Sequence, residues 1–164
     1  MSENKFAAGL EDVVVAQSAI CFIDGKRGQL VYRGYDIDDL ATHSTFEEVA
    51  YLLWHGVLPS AAELQEQHQQ ITSAMTLPDS ILGILKLLPK DTHPMRALEV
   101  AVAALGTLDA QGEDNSEAAN RAKAVRLLGQ LALVTTAWNR LRNGQEILKP
   151  KVDQNFAWNF LYLL

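Results

Sequence analysis

The 164-residue sequence contains a single cysteine, Cys21. One cysteine excludes both an intramolecular disulfide and a zinc site built from several cysteines, and it is typical of a reducing compartment. Cys21 lies between Ile20 and Phe22 in a short apolar stretch. We therefore expect its thiol to pack as a small buried hydrophobe.

Long apolar runs and an excess of positive charge are also missing. No window approaches the roughly eighteen consecutive apolar residues of a membrane span, and the N-terminal stretch MSENKFAAGLED lacks the apolar core of a secretory signal. With 14 Lys and Arg against 20 Asp and Glu, the net charge of −6 argues against binding to nucleic acid. We expect a soluble, cytoplasmic protein with neither nucleic-acid nor membrane partners.

What is present is the composition of an ordinary globular domain, with 48% hydrophobic and 21% charged residues. Residues 19–23 and 30–32 are rich in β-branched and aromatic side chains and flank a glycine-containing turn. This pattern predicts a β-hairpin. Helical periodicity dominates the sequence after it, so the fold class is predicted to be mainly α with one small N-terminal hairpin.

The stretch IDGKRGQLVYRG, residues 23–34, holds three glycines and three basic residues. It lacks the glycine spacings of phosphate-binding loops. Its glycines also precede a strand, whereas phosphate loops open a helix. The stretch therefore favours a tight turn. Contact of Lys26 or Arg27 with a ligand stays open as the alternative.

Two short helices are predicted next. A helical piece covers residues 37–42, and a longer helix begins near Thr45, where Ser44 and Glu47 have the spacing of a capping box. Gly56 should end that helix.

A second capping box, Ser60 and Glu63, opens a helix that places Leu64, His68, Ile71 and Met75 on one face and glutamines on the remainder. We expect the glutamines to be exposed. Pro78 fits the start of a further helix that extends to about residue 88.

Two later helices carry unusually little charge. Pro94 to Leu108 is apolar around almost its whole circumference, and residues 117–142 have no charge between Leu127 and Trp138. In the second helix, an apolar seam recurs at spacings of four and three residues: Leu127, Leu131, Val134, Trp138 and Leu141. The other elements offer too little surface to cover both helices. We expect Pro94–Leu108 and Leu127–Arg142 to form a subunit interface, with Val134 and Trp138 buried against a partner.

The C-terminal residues 155–164 are predicted to be helical and strongly apolar, without a polar tail. We expect this chain to be the front part of a longer protein.

No catalytic group emerges from the residues themselves. The four histidines lack the i, i+4 spacing of helical metal ligands, so no metal site is expected. His43 and His55 should cap helix ends, and His68 should lie on a buried helix edge. His93 precedes an apolar helix and is interpreted as structural, with ligand contact as the alternative.

Other catalytic patterns are missing as well. No serine lies in a G-x-S-x-G elbow. The acidic pairs Asp38-Asp39 and Glu47-Glu48 fall in predicted first helical turns, where the helix dipole explains them.

The order of the segments adds a family resemblance. The blocks GLEDVVVAQSAICFIDGKRGQLVYRGYDIDDLA, FEEVAYLLWHGVLPS, HPMRALEVAVAALG and NFLYLL resemble, in this order, the N-terminal part of the bacterial citrate synthase family. The resemblance implies a multi-helical large domain, of which residues 1–164 would form the N-terminal part, with the small catalytic domain outside this chain. It also implies a homodimer or a multiple of dimers, with the two apolar helices between subunits.

The implied reaction is condensation of acetyl-CoA with oxaloacetate to give citrate and CoA, the entry into the tricarboxylic acid cycle. Acetyl-CoA would be a substrate, and no metal or covalently bound cofactor is implied. Relatives that make 2-methylcitrate from propionyl-CoA share the same front half, so this reaction stays an alternative.

The family's catalytic motifs H-x-[DE]-H-x-x-N-x-S, G-P-x-H-G, G-H-R and D-P-R do not occur in this chain. No catalytic residue is therefore assigned, and the positions that would bind CoA are unknown. His93 matches the histidine of the family's H-P-M element, interpreted as structural. The isolated chain is expected to be inactive. Two further alternatives are a non-catalytic oligomerisation module and an unrelated helical binding module.

Overall fold

The computed structural model describes residues 17–164. The chain divides into two compact units, Met1–Ser44 and Thr45–Leu164. In the first unit, the described residues form a three-stranded antiparallel sheet and one helix: β1 Cys21–Asp24, β2 Gln29–Tyr32, β3 Tyr35–Asp36 and α1 Ile37–His43.

The predicted hairpin is confirmed by the pairing of β1 with β2, in which Ile23 lies opposite Leu30. The third strand was not predicted. Arg33 and Gly34 both have positive φ, +49° and +93°, which suits a two-residue turn that returns the chain along β2. Because Arg33 occupies the first position of the turn, the sequence lacks the pair of glycine or asparagine residues that usually identifies such a turn.

The prediction of a buried Cys21 is wrong, because its thiol is exposed. Ile20, Phe22 and Ile23 beside it are exposed as well. The richness in β-branched and aromatic residues identified the strand correctly. The same pattern does not indicate whether other described residues cover either face of the strand.

The second unit is entirely helical in its regular structure: α2 Phe46–His55, α3 Ala61–Ala74, α4 Asp79–Leu87, α5 Pro94–Thr107, α6 Glu117–Arg142 and α7 Phe156–Leu163. The long α6 packs against α3, α4, α5 and α7, so it forms the axis of this unit. Within residues 17–164, no helix combines the length and apolarity needed to cross a membrane.

The helix ends match the predicted caps, except at the start of α2. Ser60 and Glu63 form the predicted capping box of α3, and Gly56 ends α2 in the left-handed conformation. The capping box of α2, however, uses Thr45 and Glu48, one residue later than predicted. Ser44 instead closes α1, where its N–H donates to the Leu40 carbonyl.

The larger of two hydrophobic core clusters in the second unit lies between α4, α5 and α6. Its buried members are Ile81, Leu85, Ala97, Ala101, Leu105, Val134, Ala137 and Trp138. The prediction that Val134 and Trp138 face a partner subunit is therefore wrong, because the chain's own helices bury both. The other side of α5 is uncovered: Met95, Val100 and Val102 are exposed.

The glutamines of α3 also require a correction, because Gln67 is buried rather than exposed. Its side-chain amide donates to the backbone carbonyl of Glu47, so the polar group is satisfied inside the fold.

Gly129 marks the closest approach of α6 to α3. A Cβ at this position would lie 2.9 Å from the Ala74 backbone carbon and oxygen. We expect Gly129→Ala to lower the free energy of unfolding by about 1–3 kcal/mol, because one backbone must move away from the other. Gly83→Ala is the matched control, since a Cβ there meets nothing within 4 Å in another helix. The control should raise stability by about 0.4–1 kcal/mol in urea denaturation. Equal effects would contradict the close approach.

Candidate functional site

The predicted histidines are dispersed through the fold. His43 Nδ1 lies 3.1 Å from the Asp39 carbonyl at the end of α1, and His93 Nδ1 accepts from the Met95 N–H at 3.2 Å at the start of α5. Both contacts lie at helix ends, as predicted for His43, and His93 caps α5. Ligand contact by His93 stays a prediction. Among residues 17–164, no group of three or more His, Cys, Asp and Glu side chains is placed to hold a metal ion.

The hairpin tip is organised by Asp24. Its Oδ1 accepts from the backbone N–H groups of Lys26 and Arg27, at 3.0 and 3.1 Å, and Gly28 follows with positive φ. These contacts confirm the turn predicted for this stretch. Ligand contact by Lys26 or Arg27 stays a prediction.

A buried carboxylate connects three parts of the second unit. Glu47 is 6% exposed, and its Oε1 accepts from His68 Nδ1 at 3.2 Å and from the Phe156 N–H at 3.0 Å. His68 Nε2 in turn lies 3.4 Å from the Val152 carbonyl. We call these residues the Glu47 cluster. It joins α2 and α3 to the beginning of α7, so its role is to hold these elements in place.

Glu47 lies in the first turn of α2, as predicted, where a negative charge complements the helix dipole, and the structure gives it a second role. Glu48 is the residue that caps the helix, and Glu47 points to partners 21 and 109 positions further along the chain. No local spacing predicts such partners. His68 does lie on the inner edge of α3, as predicted.

A second polar group forms around Tyr51 and His55 at the end of α2. The two rings stack at 3.9 Å, and the Tyr51 hydroxyl donates to Glu63 Oε1 at 2.9 Å. Hydrogen bonds from the Ser60 side chain and backbone, then from Tyr51, hold the pKa of Glu63 below its usual value. Acceptance by Glu63 also raises the pKa of Tyr51.

His55 accepts a hydrogen bond from Arg121 Nη1 at 3.0 Å, so its Nδ1 carries no proton in this arrangement. Although the residue is exposed as a whole, desolvation of its ring against Tyr51 lowers the pKa of His55, and the Arg121 charge lowers it further. The prediction that His55 caps a helix carbonyl is wrong, because its Nδ1 instead contacts Arg121 on α6.

This contact predicts a pH dependence. The unfolded chain takes up a proton on His55 as the pH falls through 6.5, whereas the folded chain takes it up only at lower pH. Stability should therefore decrease as the pH falls through this window. In urea denaturation at a series of pH values, His55→Phe, which keeps the ring against Tyr51, should show a smaller decrease. An unchanged pH dependence in this variant would contradict the assignment.

A cavity of about 710 Å³ opens beside His55, between α3 and α6. Its polar lining includes Arg121, Arg126, Gln70 and Gln130, with His55 at one edge. We call it the cationic cavity. Sequence analysis did not single out its arginines. The sequence shows only that two arginines lie five positions apart in the charged half of α6. This spacing indicates an exposed helix surface but does not identify a particular site.

Comparison with known proteins places these features in a family. The family model described as "Citrate synthase, C-terminal domain" matches residues 9–164. Citrate synthase of Deinococcus radiodurans is 40% identical over 98% of this chain, and citrate/2-methylcitrate synthase of Bacillus subtilis is 36% identical over 99%. The chain spans 43% and 44% of these relatives, respectively.

Similarity extends to the backbone. Citrate synthase from the thermophilic archaeon Thermoplasma acidophilum, solved as a ternary complex with carboxymethyl coenzyme A and oxaloacetate, superposes with a TM-score of 0.91 at 26% identity. The superposition covers 97% of this chain and 42% of that protein. The match of the family model over nearly the whole chain, together with the order of the helices, shows that this chain belongs to the citrate synthase family.

Proposed function

We propose that this chain forms part of an enzyme that condenses acetyl-CoA with oxaloacetate to give citrate and free CoA. The observation that carries the proposal is the superposition over 97% of the chain on a citrate synthase solved with a CoA derivative and oxaloacetate. The chain would supply the N-terminal part of the large helical domain. It would act in the cytoplasm, without a metal or covalently bound cofactor.

The contribution of these residues is structural. In the proposed reaction, a carboxylate base removes a proton from the acetyl methyl group, and the resulting enolate attacks the ketone carbon of oxaloacetate, whose oxygen takes up a proton. Hydrolysis of the thioester then releases CoA. Residues 45–164 would provide the helical frame, joined by α6 and by the Glu47 cluster. The groups that perform the chemistry would come from the family's later motifs, which this chain lacks.

The activity test compares the isolated 164-residue chain with the complete reading frame that contains it. Release of the CoA thiol is followed with acetyl-CoA, with and without oxaloacetate. We expect oxaloacetate-dependent release from the complete protein and none from the isolated chain. Activity of the isolated chain would refute the proposed division of roles. An inactive but folded complete protein would refute the proposed reaction.

A second candidate reaction uses propionyl-CoA and gives 2-methylcitrate. It is favoured by the similarity to the B. subtilis protein, whose name includes both activities. The same assay with propionyl-CoA distinguishes the two, because the preferred thioester has the higher kcat/KM. A native gene that stops after Leu164 and encodes a discrete oligomer without thiol release would instead support a non-catalytic oligomerisation module.

We further propose that the protein is a homodimer, or a multiple of dimers, through the uncovered sides of α5 and α6. Val134 and Trp138, which were expected at this interface, are unsuitable probes of it because they belong to the core. Val100 on α5 and Leu127 on α6 are better probes, since both are apolar and are 41% and 39% exposed, respectively.

We expect Val100→Glu to shift the protein from dimer toward monomer in sedimentation velocity, because a buried unpaired charge opposes association. Val57→Glu is the matched control: Val57 is 59% exposed and lies in the segment that follows α2, on neither α5 nor α6. The control should leave the sedimentation coefficient unchanged. A dimer that withstands Val100→Glu would contradict this interface.

A further inference from the structure

The strand β1 lies at the edge of the small sheet. Within residues 17–164 it pairs with β2 alone, and β2 carries β3 on its other side. The far edge of β1 therefore presents backbone N–H and C=O groups that no described strand meets. Such an edge is a template for pairing with a further strand.

The register of the hairpin shows which residues face this free edge. The Arg33 N–H donates to the Ile20 carbonyl at 3.0 Å, in the same register as the rest of the pair. Hydrogen-bonded pairs alternate along an antiparallel ladder, so Phe22 also turns its backbone groups toward β2. Cys21 and Ile23 consequently turn theirs toward the free edge.

The side chains of β1 do nothing to prevent further pairing. Edge strands of soluble proteins usually carry charged residues, proline or a bulge that blocks another strand. Residues 20–23 are Ile-Cys-Phe-Ile, and β1 pairs residue for residue with β2 without a bulge. Ile20, Phe22 and Ile23 are exposed, as is the Cys21 thiol. An uncharged apolar edge of this kind favours an added strand as its occupant.

We propose that the free edge of β1 pairs antiparallel with β1 of a second copy of this chain, with Phe22 on the two-fold axis. In this register, Cys21 of one copy lies opposite Ile23 of the other. Both residues turn their backbone groups to the free edge, so they form a hydrogen-bonded pair that the symmetry repeats. The pairing extends from Ile20 to Asp24 and requires no residue of the turn.

Charge selects this register over its neighbours. Asp24 is the charged residue of β1, and centring the pair on Phe22 places it opposite Ile20 of the second copy rather than opposite a second Asp24. Within its own chain, Arg27 Nε lies 3.7 Å from Asp24 Oδ2 and offsets the carboxylate charge. The two Phe22 rings meet in a non-hydrogen-bonded pair, where opposite side chains approach most closely.

The contact is expected to be weak, because two short strands are marginally stable on their own. It therefore has to be trapped rather than isolated. The inference does not depend on the proposed condensation or on the interface proposed for α5 and α6, since it uses residues of the first unit alone.

Disulfide trapping tests the pairing. In Cys21→Ser/Phe22→Cys, the two introduced thiols face each other with their Cα atoms about 4.5 Å apart, within the range of a disulfide. Val57→Cys in the same Cys21→Ser background is the matched control for random collision, since Val57 is 59% exposed and Phe22 is 57% exposed. Under mild oxidation, the Phe22→Cys chain should form covalent dimers about tenfold faster than the control, because pairing raises the effective concentration of its thiols.

A further substitution removes the edge and leaves the hairpin intact. Ile23→Pro deletes an N–H that faces the free edge and keeps the hydrogen bonds to β2. Added to Cys21→Ser/Phe22→Cys, it should reduce the rate of dimer formation to that of the Val57→Cys control. Equal rates for Phe22→Cys and Val57→Cys, or rapid cross-linking that survives Ile23→Pro, would overturn the proposal.

Hydrogen exchange of the unchanged chain provides a measurement that needs no variant. Raising the protein concentration should slow exchange of the Cys21 and Ile23 amides, whereas the Phe22 amide, which faces β2, should not respond. Slow exchange of Cys21 and Ile23 at every concentration would show that another part of the same chain covers the edge. That result, or fast exchange at every concentration, contradicts pairing between copies.

Discussion

Replacing Trp138 with alanine is expected to lower the free energy of unfolding by about 3–5 kcal/mol. The indole is 3% exposed and packs with Ile81, Ala97 and Ala101 in the core between α4, α5 and α6. Truncation removes the largest side chain of that cluster and leaves a cavity that three helices border. Urea denaturation followed by circular dichroism measures the change.

Two companion variants distinguish loss of packing from other effects. Trp138→Phe keeps much of the ring volume and removes an indole N–H that has no hydrogen-bond partner among the described residues, so it should cost far less than alanine. Leu161→Ala removes an apolar side chain that is 71% exposed, and it should change stability by at most about 0.5 kcal/mol. A small effect of Trp138→Ala would contradict the position of this residue in the core.

The second large effect is expected for Glu47→Leu. The substitution leaves the Phe156 N–H and His68 Nδ1 without their acceptor in a partly buried position. Each unpaired donor costs about 1–3 kcal/mol, so both together should rank this variant among the most destabilised. The first turn of α7 should also lose its attachment to α2, which hydrogen exchange of the Phe156 amide measures directly.

The matched control is Glu47→Gln, which retains an oxygen at the acceptor position. It should recover most of the stability, because both donors find a neutral acceptor in place of a charged one. Equal destabilisation by leucine and glutamine would show that the carboxylate charge, rather than the acceptor position, stabilises the cluster.

Local chemistry explains which parts of the fold the sequence predicts. The box of Ser60 and Glu63, the left-handed Gly56 and the cap by His93 each depend on residues within four positions. The prediction for Ser44 and Glu47 was wrong for the same local reason: the adjacent pair Thr45 and Glu48 has the same spacing. The neighbouring helix α1 decides between them, because it uses the backbone of Ser44.

The sequence patterns do not predict contacts between distant parts of the chain. A seam of apolar residues on α6 shows that the helix is buried on that side, but it does not identify the partner. Val134 and Trp138 pack against α4 and α5 of the same chain, and the apolar residues left uncovered, such as Val100, lie elsewhere. The cationic cavity likewise requires residues of α2, α3 and α6 to meet. Its chemistry becomes visible only in three dimensions.

The segment before α7 has no regular structure, yet its backbone is fixed. The buried amide of Asn159 accepts from the Lys151 N–H at 2.7 Å and donates to the carbonyls of Lys151 and Gln154 at 2.9 and 3.0 Å. A protease such as trypsin must draw the chain into an extended strand in order to cleave after a lysine. The peptide bond after Lys151 should therefore resist cleavage as a helix does, until the fold itself opens.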